Sequence, residues 1–169
     1  SLADGNTLEN IDAANKLSAY GNGTYSFKLI DRDGNGKGDY VVAFPYTVQK
    51  VTYVGSENIT LDSGVGSLDL EDVTVYEGIA KNDYVAHTAT VNTVDGKDAF
   101  VKAEVVTGTV NAVKDTNSVQ IDGTWYTWSG NYANGSALTN ANLGATVKIQ
   151  VINGYYFDSE VTLAQADTN

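Results

Sequence analysis

Cysteine and methionine are both absent from the 169 residues. Their absence excludes disulfides, thiolate metal centres and thiol chemistry. It fixes no compartment, since exported bacterial proteins and many cytosolic ones share it. One histidine, His87, leaves no second imidazole for a zinc site. Proline occurs once, at Pro45. Positive charge is scarce, with 10 Lys and Arg against 21 Asp and Glu and a net charge of −11. Such a polyanion repels nucleic acid and anionic membrane surfaces, so neither is expected as a partner. No apolar run reaches the roughly 18 residues of a membrane span. No signal-peptide pattern occurs either; an upstream leader already removed and an excised fragment are the two readings.

What the chain does contain is strand and turn material. Apolar residues make up 42%, Tyr numbers 11 and Gly 17, which predicts a folded all-β chain with many tight turns. Residues 1–23 are polar; Leu8, Ile11 and Leu17 at roughly helical spacing allow a short helix, with an extended segment as the alternative. From Thr24 the period becomes two. Tyr25, Phe27 and Leu29, then Tyr40, Val42 and Phe44, read as a hairpin that Pro45 ends, because proline cannot donate to a ladder.

A pattern then recurs at an offset of about 59 residues. The run from Lys50-Val51 to Asp62-Ser63-Gly64 resembles the run from Thr109-Val110 to Ile121-Asp122-Gly123. The stretch from Asn82-Asp83-Tyr84-Val85 to Ala103-Glu104-Val105 corresponds to that from Gly144-Ala145-Thr146-Val147 to Ser159-Glu160-Val161. The two hairpins close on Asp95-Gly96 and Asn153-Gly154, pairs suited to the positive φ of tight hairpin turns. The expectation is two tandem β modules arising by duplication, each a partly closed barrel or a sandwich. Their bounds are 24–105 and 106–165, after the N-terminal segment 1–23. Modules this small bury little core alone and should pack together. Gly108, near the junction, suits a bend.

Chemical specificity is concentrated in Asp31-Arg32-Asp33-Gly34-Asn35-Gly36-Lys37-Gly38-Asp39. In the register of a calcium loop, Asp31, Asp33 and Asn35 fill positions one, three and five. Gly36 sits at the sharp turn, Lys37 offers its carbonyl and Asp39 takes position nine. Val42 stands where the bidentate glutamate belongs, and the flanks are strands. Asp4, Glu71 or Asp72 are candidates to complete the shell. Weak calcium binding and an Asp/Asn/Gly turn capped by its own side chains are the two readings.

The aromatic residues Trp125, Tyr126, Trp128, Tyr132, Tyr155, Tyr156 and Phe157 form the second concentration. A two-residue turn at Asp122-Gly123 sets Ile121 opposite Thr124 and Val119 opposite Tyr126. Tyr126 and Trp128 then join Val119 and Ile121 on the core face, with Trp125 opposite. Trp125, with Tyr132 or Tyr155, is the candidate sugar-stacking set; core packing or a contact between modules is the competing reading. His87 is expected half-buried or at the surface. Glu71-Asp72 and Asp158 with Glu160 are acid pairs of a kind glycosidases use, but solvated charges are expected in such a chain. No Gly-rich phosphate loop fits, because Gly34, Gly36 and Gly38 precede a strand.

The run from Tyr25 to Gly36, followed by Asp39-Tyr40-Val41-Val42, resembles the non-anchoring regions of bacterial surface-layer proteins that carry S-layer homology domains elsewhere. The segments 106–110 and 119–126 are similar to the β modules of such proteins. The resemblance implies a non-enzymatic, structural role in the extracellular bacterial cell envelope, often calcium-assisted. The partners it implies are other domains of the same surface protein, neighbouring subunits or cell-wall glycan. A carbohydrate-binding module of an extracellular protein is the alternative. The anchoring domain itself is not among these residues.

Overall fold

The structure, a computed structural model, describes residues 25–30, 33–35, 40–63, 66–88, 97–115 and 117–164, with backbone alone for 25–30 and 40–45. The expected N-terminal helix or extended segment, 1–23, lies outside the described residues. The fold is all-β with two modules. They are preceded by the expected antiparallel hairpin, β1 (Tyr25–Ile30) and β2 (Tyr40–Pro45), with Ile30 opposite Tyr40, a register that sets Phe27 opposite Ala43 and Leu29 opposite Val41 rather than opposite Val42 and Tyr40.

The second module is a closed barrel of β9 (Glu104–Lys114), β10 (Ser118–Ile121), β11 (Thr124–Trp128), β12 (Thr146–Ile152) and β13 (Tyr155–Leu163). Its circular order is β10-β11-β13-β12-β9. β11 and β13 close it as a parallel pair, the connectivity of OB-type five-stranded barrels. The long β9 serves two partners in turn: residues 104–109 pair with β12, and 110–114 with β10. Both tight turns have the predicted chemistry, with Asp122 and Gly123 at φ 47° and 86° and Asn153 and Gly154 at φ 51° and 80°. The register Val119↔Tyr126 and Ile121↔Thr124 is also as expected.

The first module comprises β3 (Thr47–Val54), β4 (Asn58–Leu61), β5 (Ser67–Asp69), β6 (Val73–Thr74), β7 (Tyr84–Thr88) and β8 (Asp98–Lys102). They form one sheet in the order β5-β4-β3-β7-β8-β6. Its two end strands are consecutive in the chain, joined by residues 70–72, so its edges lie within about 14 Å of each other. The sheet therefore curls round on itself. β6 runs parallel to β8, as β11 does to β13. The module follows the strand order of the second barrel with the third strand broken into β5 and β6, so that its sheet is open between those two strands, and it is called the first barrel below.

The two modules repeat one backbone circuit. Lys50 N donates to Asp62 Oδ1 at 2.9 Å while Asp62 N donates to Lys50 O at 2.9 Å. Thr109 N and Asp122 Oδ1 (3.0 Å), with Asp122 N and Thr109 O (3.1 Å), do the same. Val51 bonds Asp83 O and Asn82 N; Val110 bonds Ala145 O and Gly144 N. Asn82 and Gly144 both hold positive φ. The cores correspond as well. Val51, Ile59, Leu61 and Val85 are buried in one barrel, and Val110, Val119, Ile121 and Val147 in the other.

Two sequence-based placements shift. β9 begins at Glu104, so residues 104 and 105 pair with β12 and belong with the second barrel. Val161 faces Val147 as Lys102 faces Val85, so Val161 corresponds to Lys102 rather than Val105; two register breaks in the β12–β13 ladder displace the match. Gly108 lies inside β9, next to the point where that strand passes from β12 to β10. A Cβ there would stand 2.3 Å from Asp122 Oδ2, so the residue is glycine because Asp122 packs against its backbone.

Candidate functional site

The polar and aromatic side chains converge where the two barrels meet. The connection from β11 to β12 carries an excursion, residues 129–136, that lies against the first barrel. Asn131 Nδ2 donates to Tyr46 O at 2.9 Å. Tyr132 donates its hydroxyl to Asp62 Oδ2, and Asn134 Nδ2 reaches the same oxygen at 3.4 Å. In return Tyr84 of β7 donates its hydroxyl to Asp158 Oδ2 of β13 at 2.6 Å. Each carboxylate is also held by its own barrel: Asp62 by Lys50 N, and Asp158 by Ser136 N and Ser159 N at 2.9 and 2.8 Å.

Beneath these bonds lies an apolar cluster drawn from both barrels. Tyr46, Val48 and Ala86 of the first are buried with Tyr132 and Phe157 of the second, and Tyr155 packs partly buried against them. Tyr46 meets Phe157 edge-on at 6.3 Å, and Tyr84 meets Tyr132 edge-on at 5.4 Å. Gly135 admits no side chain, because a Cβ would come within 2.0 Å of Phe157 O. Burial, then the bond to a carboxylate, pushes the hydroxyls of Tyr84 and Tyr132 well above the usual tyrosine range. Burial, with Tyr155 nearby, pushes Tyr46 up to about 12. The Tyr46 hydroxyl is the one buried side-chain polar atom without a hydrogen-bond partner among the described residues.

Beside the cluster a cleft of about 450 Å³ opens between the barrels. Lys50 and Tyr84 line one wall, and Lys148, Gln150, Asp158 and Glu160 the other. Its charges are already engaged. Lys50 Nζ lies 5.4 Å from the Tyr84 ring centroid, Lys148 pairs with Glu160 at 3.5 Å, and Asp158 is bonded three times.

The sugar-stacking set does not assemble. Trp125 is 46% exposed on β11, opposite Gln120, whereas Tyr132 is 5% exposed and committed to Asp62. Tyr155 belongs to the cluster between the barrels. Tyr126 and Trp128 pack against the second core as expected.

Of the calcium-loop residues, Asp33 and Asn35 are described, and Asp31, Lys37 and Asp39 lie outside the described residues. Asp33 Oδ1 accepts from Asn35 N at 3.1 Å and Oδ2 from Asn35 Nδ2 at 2.8 Å, the self-capped turn geometry. Among the described residues no group of three or more His, Asp or Glu is placed to hold a metal ion.

His87 is buried, at 6% exposure, rather than half-exposed. Nδ1 meets Gln49 Oε1 at 2.9 Å and Nε2 meets Asp98 Oδ2 at 2.8 Å, while Gln49 Nε2 donates to Ser63 O at 2.7 Å. The ring stacks on Phe100 at 4.9 Å. Burial is tolerated because both His87 ring nitrogens and both polar atoms of the Gln49 side chain have partners. With both nitrogens occupied the imidazole is structural.

Sequence reasoning named Tyr132, Tyr155 and Phe157 but neither the carboxylate that Tyr132 meets nor the pair of Tyr84 with Asp158. Asp62 was legible only as a turn residue and Asp158 only as a strand charge. Among the described residues no helix is long and apolar enough to cross a membrane. Comparison with protein-family models, with curated proteins and with solved structures finds no match to this chain.

Proposed function

We propose that this chain is a non-catalytic structural element of a bacterial cell-surface protein, in which two barrels descended from one by duplication are clasped into a single rigid spacer. The observation that carries the reading is the reciprocal clasp, Tyr84 to Asp158 and Tyr132 to Asp62, over a shared apolar cluster. Two barrels joined by a linker alone would tumble separately; buried rings and hydroxyl–carboxylate bonds across the joint transmit load from one to the other. The repeated backbone circuit supports the duplication. The surface-layer resemblance supports an extracellular setting, with neighbouring domains or subunits as partners. Calcium bound at Asp31, Asp33, Asn35, Lys37 and Asp39 would stiffen the β1–β2 connection.

The test is mechanical and thermodynamic. Wild-type protein should unfold in one cooperative transition reported alike by Trp fluorescence of the second barrel and hydrogen exchange of the first. Tyr84→Phe with Tyr132→Phe should split that transition in two. Two independent transitions in the wild type would defeat the rigid-spacer reading.

A second reading, carbohydrate binding, is favoured by one observation: Trp125 stands exposed on the outer β10–β11 face. Titration with cell-wall and plant polysaccharides, followed by Trp fluorescence in wild type and Trp125→Ala, separates the two.

A further inference from the structure

Among the described residues the β1–β2 hairpin forms a sheet of two strands, not hydrogen-bonded into the sheet of either barrel. Its plan repeats β7–β8 of the first barrel. The connections, residues 31–39 and 89–97, are equal in length. Both hairpins enter their second strand on kindred sequence: Gly36-Lys37-Gly38-Asp39-Tyr40-Val41-Val42 in one, Gly96-Lys97-Asp98-Ala99-Phe100-Val101 in the other. Each second strand passes to the first strand of a barrel across one buried residue. Tyr46 stands between β2 and β3, and Ala103 between β8 and β9.

In both barrels the strand that stands where β1 stands has two partners. β7 lies between β8 and β3, and β12 between β13 and β9. Among the described residues β1 pairs with β2 alone. Among the described residues the other edge of β1 therefore presents a row of backbone donors and acceptors over Tyr25–Ile30, a template for one more strand.

We infer that β1–β2 is the closing hairpin of a further barrel of this type, and that the edge of β1 docks the first strand of a unit built like β3–β6. The inference rests on the duplication reading above. The partner is identified by the fold's own rule: each closing hairpin completes its barrel by pairing its inner strand with that barrel's first strand. It makes the chain a stretch of a tandem array, in which each hairpin closes one barrel and leads directly into the next.

The test inserts a second copy of residues 47–83 between Thr24 and Tyr25 of the full chain, and follows β1 by hydrogen exchange. The β1 amides that do not bond β2 should exchange at least about 100-fold more slowly than in the parent protein, with Trp fluorescence of the second barrel unchanged. A companion fusion inserts residues 106–145, the equivalent part of the second barrel. Slowing in both fusions upholds the docking and the equivalence of the barrels. Slowing with 47–83 alone upholds the docking and shows that the two barrels are no longer interchangeable. Unchanged exchange in both, or equal slowing by a scrambled insert, overturns the docking and leaves the relation between the two complete barrels standing. Slow exchange of the same amides in the parent chain also overturns it, since the edge would then already be occupied.

Discussion

Tyr84 and Tyr132, one from each barrel, meet edge to face at 5.4 Å, and each donates its hydroxyl to a carboxylate of the opposite barrel. The arrangement is symmetric in chemistry though not in position. Tyr84 lies on a strand and Tyr132 on an excursion between strands. A clasp made twice resists rotation about the joint, which a single bond would permit.

Removing either hydroxyl tests the clasp. Tyr132→Phe and Tyr84→Phe should each lower stability by about 1.5 kcal/mol, the scale of hydrogen bonds to charged acceptors. Because the rings touch, the double variant should deviate from additivity by at least about 0.5 kcal/mol. Urea denaturation of the four proteins, with the free energies of both transitions summed for the double variant, measures both quantities; strict additivity would show that the two bonds act independently.

Tyr46→Phe should behave in the opposite way. Its hydroxyl is buried and unpartnered, so removal relieves a desolvation cost while the ring keeps its contact with Phe157. The expected change is between zero and about 1 kcal/mol of stabilisation. A loss above about 1 kcal/mol in chemical denaturation would mean that the hydroxyl has a partner in solution.

Alkaline pH should open the joint. Tyr46, Tyr84 and Tyr132 all have folded pKa values raised above the ordinary tyrosine value, Tyr46 to about 12. The neutral hydroxyl is the form the folded state favours. Its contribution is complete below about pH 10, the unfolded value, and is lost as pH rises from there towards 12. Denaturation midpoints should thus be steady to about pH 9 and fall above pH 10. Tyrosinate absorbance should lag behind that of a denatured control.

Two glycines separate packing from backbone strain. At Gly108 a Cβ would collide with Asp122 Oδ2 and Ile121 Cγ2. Gly108→Ala should therefore displace Asp122 from Thr109 N and cost about 3 kcal/mol. Gly154 has φ +80° and open space around it, so Gly154→Ala meets strain alone, about 1 kcal/mol. Thermal melts that rank the two in reverse would refute the close-approach account.

Calcium should raise the melting temperature of the wild-type protein, and Asp31→Ala with Asp33→Ala should abolish the rise. The missing glutamate at Val42 sets the scale, with saturation at about 10⁻⁴ to 10⁻³ M. No shift at ten times that concentration would leave the loop as the self-capped turn that Asp33 and Asn35 already form.

Much of the local structure was legible in the chain because its causes are local. Alternation of period two marked β1, β2 and β10. Asp122-Gly123 and Asn153-Gly154 marked their turns, since these residues accept positive φ at low cost. Those turns then set the register that placed Tyr126 and Trp128 on the core side and left Trp125 outside. The offset between Lys50-Val51 and Thr109-Val110 was readable for the same reason: the circuit they share imposes similar residues at similar spacing.

What the sequence by itself determined is therefore strand and turn, each written in neighbours a few residues apart. Tertiary structure alone decided the parallel closure by β11 and β13, the burial of His87 between Gln49 and Asp98, the close approach at Gly108, and the clasp. Asp62 and Tyr132 are 70 positions apart, and Tyr84 and Asp158 are 74. No local pattern selects such partners, because a carboxylate in a turn and a tyrosine in an aperiodic excursion are each ordinary alone. They become a joint when both barrels have folded and the apolar faces of β3, β7 and β13 exclude water from between them.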